Sequence, residues 1–142
     1  MNEVHKRVAR SFESQGLMRT LGAVLERVDP GEVHIAMSAS PHLSQQHGYA
    51  HAGAISSILD SACGYAALTR APEGFEVVTA EFKINLIRPA IGNRFIAIGK
   101  VVNAGRTLTV CSGEVKAISA ENPHGKVVAL MQATVVNVAS AG

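Results

Sequence analysis

A chain of 142 residues, 47% hydrophobic and 17% charged, has the length of one domain and the apolar content for a sizeable core. A net charge of +2, with Lys and Arg dispersed and aromatics at only 4%, excludes a nucleic-acid surface built from a basic face and stacking rings. No apolar run reaches the ~20 residues of a membrane span and no apolar signal core opens the chain, so neither membrane nor nucleic acid is an expected partner and a cytoplasmic location is expected.

The low charge fraction points to a surface partly covered by another subunit. Cys63 and Cys111 sit in an apolar helical and an apolar strand segment without CxxC spacing, which predicts free, buried thiols rather than a disulfide framework or a zinc ribbon.

Residues 3–19 have the pattern of an amphipathic helix. Val4, Val8 and Phe12 recur at i, i+4 and i+8, with Lys6, Arg7, Arg10 and Glu13 elsewhere on the wheel. Such a helix lies on a membrane or caps its own domain, and Glu3 and Glu13 argue against a transit peptide. The expected organisation is an N-terminal helix over 1–20 followed by a single domain over 21–142. Residues 21–39 read as a hairpin about Asp29-Pro30-Gly31. Val33, Ile35 and Met37 alternate there with Glu32, His34 and Ala36, which puts His34 on a solvated face.

After a loop over Pro41–Ala50 comes the most informative stretch, Gln45 to Thr69. With Ile55 at the origin of a helical wheel, Ile58, Leu59, Ala62, Cys63 and Ala66 share one half. Ser56, Ser57, Asp60, Ser61 and Gly64 fall together opposite them, and Leu68 falls on the wrong side. An exposed helix face normally carries Lys, Glu, Arg or Gln. Here Asp60 is the one charge from His51 to Thr69. Small residues around one carboxylate imply close approach by a chain, a sheet or a ligand; the alternative is a core helix with Asp60 at its solvent edge.

Beyond the Pro72-Glu73-Gly74 break the pattern is strand to the end. In 77–87, Val78, Ala80, Phe82, Ile84 and Leu86 alternate with Thr79, Glu81, Lys83 and Asn85, and Pro89 ends the run. Segment 94–102 is apolar on both faces, as a central strand is. The turn Asn103–Arg106 leads into a strand over 107–118, and the turn Glu121–Gly125 into one over 126–138. The order predicts an α+β fold, a five- or six-stranded antiparallel sheet wrapped around one long helix.

The turn His51-Ala52-Gly53, opening a long small-residue helix with an Asp a little over two turns in, resembles the hot-dog-fold acyl-CoA thioesterases, most closely the phenylacetate-degradation (PaaI-type) branch. The segments IRPA at 87–90, NAGRTL at 103–108 and HGKVVA at 124–129 are similar too, so the resemblance runs from about Gly31 to Val138.

The resemblance implies hydrolysis of an acyl-CoA by a homodimer with shared sites, itself paired into a tetramer, without cofactor or metal. A helix start leaves N–H groups unpaired and partly positive. The N–H of Ala52, with that of Gly53, is thereby expected to hold the thioester oxyanion. The family carries Gly where this chain has Ala52; backbone donation survives, but a methyl group narrows the approach. Asp60 matches the family's general base or nucleophile. It stands about 13 Å along the helix from His51, too far to act on a carbonyl held at its own helix start. In the family the carboxylate comes from the second subunit.

By the same resemblance Gln45 touches the thioester or water and Thr79 positions water. His51 braces the turn against the substrate, and Arg106 meets a CoA phosphate. The plain alternatives are a loop Gln, a strand Thr and a solvated turn Arg. His47 and His51, with His42 or Asp60, invite a metal reading, but Gly48 separates them and no Glu follows His47 as a zincin needs. A serine-hydrolase GxSxG is absent. A non-catalytic acyl-CoA-binding protein and a hot-dog hydratase or dehydratase using His51 and Asp60 remain alternatives.

Overall fold

In the computed structural model, which describes residues 2–140, three α-helices and six β-strands form one layered unit. They are α1 (Glu3–Ser14), α2 (Gly16–Thr20), β1 (Val24–Asp29), β2 (Glu32–Ser38), α3 (Ala52–Leu68), β3 (Phe75–Leu86), β4 (Arg94–Ala104), β5 (Leu108–Ile118) and β6 (Lys126–Ala139). The six strands make one antiparallel sheet in the order β1-β2-β4-β5-β6-β3. The sheet curls round α3, so Ile55, Ile58, Leu59, Ala62, Cys63 and Ala66 are buried against Val33, Ile35, Phe95, Ala97, Val115 and Val135. Cys63 and Cys111 are free and buried, and Cys111 Sγ donates to the Cys63 carbonyl at 3.4 Å.

Two glycines let the helix lie close. A Cβ on Gly99 would stand 2.4 Å from the Ala62 backbone, and one on Gly113 would stand 2.7 Å from Leu59. Any side chain at either position would push α3 off β4 and β5.

The expected helix over 3–19 is broken at Gln15, whose backbone is extended (φ −85°, ψ 109°) between Ser14 and Gly16. Gly16 is a poor helix former, so the chain bends there at little cost. Val8 of α1 and Met18 of α2 are fully buried in the core they share with the sheet and α3. Arg7 holds α1 in place by donating to the carbonyls of Leu68, Ala71, Pro72 and Phe75, from the last residue of α3 to the first of β3. This packing explains Leu68, only 2% exposed although the wheel sets it on the polar side. The last turn of α3 is covered on both faces, by the sheet and by α1, where Phe12 meets Tyr65.

Two other expectations change. His34 is not simply solvated: its Nε2 lies 2.6 Å from Glu32 Oε2 in a half-buried pair. The alternation in 77–87 is split by a bulge, since Thr79 pairs with Val135 and Glu81 with Thr134, leaving Ala80 unpaired. The bulge changes which face is which. Val77 and Thr79 point to the helix side before it, and Phe82, Ile84 and Leu86 do so after it. Val78 is left on the outer face.

The sheet's two edges differ. β1 is six residues long, bulged, and carries Glu26, Arg27 and Asp29, with ion pairs from Arg94 to Glu26 and from Arg27 to Asp29. β3 is twice as long, and Val78, Phe82 and Leu86 are 55%, 44% and 50% exposed along it. Long apolar edges are pairing surfaces, whereas charge and bulges block pairing.

Candidate active site

The loop before α3 is folded onto itself before the helix begins. Gln45 N–H donates to the Tyr49 carbonyl at 2.8 Å, and Gln45 Oε1 accepts from the N–H groups of His47 (2.6 Å) and Tyr49 (3.2 Å). Ala50 N–H donates to Ala90 and His51 N–H to Leu43, at 3.0 and 2.7 Å. The Gln45 side chain thus braces its own loop with its oxygen, and its NH2 makes no bond among the described residues.

His51 is the N-cap of α3, and its Nδ1 accepts the Gly53 N–H at 2.7 Å. Accepting at Nδ1 places the neutral ring's proton on Nε2. The N–H groups of Ala54 and Ile55 both turn to the His51 carbonyl. Of the first-turn donors only that of Ala52 lacks a partner among the described residues, and the positive end of the macrodipole lies there. The expected pair of oxyanion donors is therefore reduced: Gly53's N–H is already engaged, and a Cβ there would come 3.0 Å from the His51 ring.

A cavity of about 310 Å³ lies over this helix start, lined by Gln45, Tyr49, His51, Ala52, Leu86 and Arg88 among others. Arg88 belongs to the IRPA segment yet was not legible as a lining residue; its guanidinium donates to the Val127 carbonyl at 2.7 Å.

Asp60 lies two turns on, half-buried, and Thr79 Oγ1 donates to its Oδ1 at 2.7 Å. Burial pushes the Asp60 carboxyl above the ordinary carboxylate range, and the Thr79 hydrogen bond pulls partly the other way. A second cavity, about 380 Å³, opens beside it between α1, α3 and β3, lined by Gln15, Asp60, Gly64, Tyr65, Val77 and Thr79 among others. The fold thus brings Asp60 to Thr79, and Gln45 and His51 to Ala52, but keeps the two sets apart. Eight residues at 1.5 Å each separate Ala52 from Asp60 by about 12 Å along the axis.

Arg106 stands exposed in the β4–β5 turn, where Asn137 Nδ2 donates to its carbonyl at 3.2 Å. That turn adjoins the sheet end where Leu108 pairs with Val136 and Val136 with Val78, so Arg106 belongs to the Asp60 end of the molecule. His42, His47 and His51 do not converge, and among the described residues no group of three or more His, Cys, Asp or Glu is placed to hold a metal. No helix of the described residues is long and apolar enough to cross a membrane.

A six-stranded antiparallel sheet curled round one long helix, with a carboxylate in the helix and a free N–H at its start, is the hot-dog α+β architecture of thioester hydrolases. The thioesterase superfamily matches residues 47–122, from the loop before α3 to the β5–β6 turn. A thioesterase family protein from Silicibacter pomeroyi is 41% identical and superposes with a TM-score of 0.91, covering 96% of this chain and 99% of that one. The PaaI protein of the Escherichia coli phenylacetic acid degradation operon, at 21% identity, shares the fold with a TM-score of 0.85 over 97% of this chain and 95% of its own. A Haemophilus influenzae thioesterase does likewise at 19% identity, with a TM-score of 0.81 over 92% and 88%. The chain belongs to the thioesterase superfamily.

Proposed function

We propose that the chain hydrolyses acyl-CoA thioesters as a homodimer in which each site takes the Ala52 N–H and Gln45 from one protomer and Asp60 with Thr79 from the other. One observation carries the reading: the unpaired N–H and the carboxylate lie on the same helix, about 12 Å apart, in separate cavities. A thioester carbonyl held at one cannot be attacked from the other. A two-fold axis between antiparallel copies of α3 brings each half opposite its complement. The β3 edge, with Val78, Phe82 and Leu86 half open, and the small residues Ala52, Gly53, Ser56 and Ser57 suit such a contact. The row Leu108–Val136–Val78 on the outer face offers a further apolar surface for pairing dimers into a tetramer.

In this scheme Asp60 takes a proton from water as the water oxygen attacks the thioester carbonyl. The Ala52 N–H meets the oxyanion. Collapse breaks the C–S bond, and the proton held by Asp60 passes to the departing CoA sulfur, leaving the free acid. Thr79 holds the carboxylate in position. The free NH2 of Gln45 reaches toward the thioester or the water, His51 fixes the turn, and Arg106 is the solvent-facing cation offered to a CoA phosphate.

Mixed dimers test this directly. Asp60→Asn and Ala52→Pro chains are each expected to be nearly inactive alone. In a reassembled equimolar mixture half the dimers are mixed and one of their two sites has both intact groups, so activity returns to about a quarter of wild type. A mixture no more active than its two components would show that each chain works alone.

A further inference from the structure

The turn between β4 and β5 is held from outside its own hairpin. Gly105 N–H donates to the Leu108 carbonyl at 2.8 Å and closes a tip of two exposed residues, Arg106 and Thr107. A Cβ on Gly105 would stand 2.5 Å from that carbonyl oxygen, so the closure requires glycine. Hairpin tips ordinarily leave their carbonyls to water and move. Here one residue of β6 takes both. Asn137 N–H donates to the Thr107 carbonyl at 2.9 Å, and Asn137 Nδ2 donates to the Arg106 carbonyl at 3.2 Å.

Asn137 runs against the local preferences of its position. Asparagine is depleted in strands, and this one shares its face of β6 with the buried apolar Ala133 and Val135. It pairs with Val77, which sets it on the helix side of the sheet. Its Oδ1 is buried and meets no donor among the described residues. A buried acceptor without a donor costs stability, and a leucine of similar shape would bring no such oxygen. Turning the amide over would set that oxygen against the Arg106 carbonyl, acceptor to acceptor. The Nδ2 bond to the tip is therefore the one side-chain hydrogen bond that offsets the cost.

We propose that Asn137 is a positioning residue, which fixes the backbone of Arg106 so that its guanidinium is held ready for a phosphate of the CoA tail. The inference rests on the acyl-CoA hydrolysis and the Arg106 contact proposed above. Asn137 touches neither the substrate nor the reacting atoms. An arginine on a loose tip has to be ordered as the anion binds, and that ordering weakens affinity. On a pinned tip the backbone is already in place. The effect falls on KM rather than kcat, because the phosphate contact is the same before and during bond breaking.

The test takes the best substrate among butanoyl-, hexanoyl- and decanoyl-CoA and the same acyl group on pantetheine, which lacks the nucleotide and every phosphate. KM and kcat are read by thiol release, with the assembly followed by light scattering. Arg106→Ala should raise KM for the CoA ester relative to the pantetheine ester by at least about tenfold. Asn137→Asp, nearly isosteric but without the donor, and Asn137→Leu, without any polar group, should each raise that ratio about three- to tenfold. Added to Arg106→Ala, Asn137→Asp should raise it little further, since the two act on one contact.

Equal KM changes on the two esters in the Asn137 variants would overturn the proposal, as would an effect that adds in full to that of Arg106→Ala. So would loss of the wild-type assembly in both Asn137 variants, which would assign the residue to the fold alone. An Arg106→Ala chain with an unmoved ratio would remove the phosphate contact, and the proposal with it. A wild-type protein that releases thiol from none of the CoA esters would instead refute the acyl-CoA reading beneath both.

Discussion

The first turn of α3 and the turn that carries Asp60 are made of the same small residues but are electrical opposites. At the helix start Ala52 and Gly53 are exposed, the macrodipole is positive, and a single N–H is left without an acceptor among the described residues once His51 has capped Gly53. At Asp60 the backbone is fully bonded and the charge sits on a side chain whose carboxyl burial pushes upward. In the proposed mechanism exposure prepares a donor and burial prepares a base. The two requirements conflict at one point in space, which is a physical reason for a helix to carry them on different turns.

Removing either half should break the contrast in a recognisable way. The largest expected effect is at the carboxylate: Asp60→Asn should lower kcat on the order of 10²–10⁴-fold with the fold and assembly intact. An unchanged rate in a thiol-release assay would take Asp60 out of the mechanism. Next comes the donor. Proline is well tolerated at the first helical position, and His51 already has the extended backbone a pre-proline residue needs (φ −63°, ψ 139°). Ala52→Pro therefore deletes the free N–H while sparing the helix, and kcat should fall roughly 10²–10³-fold. Ala52→Gly keeps the N–H and should lose far less. A proline variant that turns over like the glycine one would show that the helix start takes no part.

A smaller effect sharpens the comparison at Asp60. The Thr79 hydroxyl donates to the carboxylate and so lowers a pKa that burial has raised. Thr79→Val removes that donor at nearly constant volume, the carboxyl moves further up, and the acid limb of the kcat–pH profile should shift to higher pH. A profile shifted to lower pH, or not shifted, would mean that Thr79 does not act through Asp60.

Much of this arrangement was legible in the sequence because it rests on local rules. The 3.6-residue pattern over Ile55–Ala66 and the turn residues at Asp29–Gly31 and Glu121–Gly125 set out the helix and the succession of strands along the chain, though not their order in the sheet. The lone charge of that helix marked Asp60. What escaped depends on contacts distant in sequence. The bulge at Ala80 exists only against β6, and it turns Thr79 toward Asp60 while moving Phe82 to the same side. Leu68 is covered because α1 returns over it, which no wheel of α3 can contain. Gly53 looked like a donor on position alone, and only the conformation of His51 reveals that its N–H is engaged. The hydrogen bond from Gln15 to Tyr65 joins residues fifty apart.

The smallest effect is on stability, and its sign follows from linkage. Because the folded Asp60 carboxyl has a raised pKa, the folded chain binds this proton more tightly than the unfolded chain does. Its contribution to stability is fully present below the unfolded carboxylate pKa and is lost as pH rises through the folded value. An amide side chain in place of the carboxyl cannot titrate, so Asp60→Asn should match wild type most closely in acid. The variant's advantage should grow as pH rises from the unfolded carboxylate pKa to the folded one and then level off above the folded value. Melting temperatures at fixed protomer concentration, which an oligomer requires, would read this difference. A gap that narrowed with rising pH would mean that the folded carboxylate is stabilised rather than strained by its surroundings, and the contrast with the helix start would then lose its base.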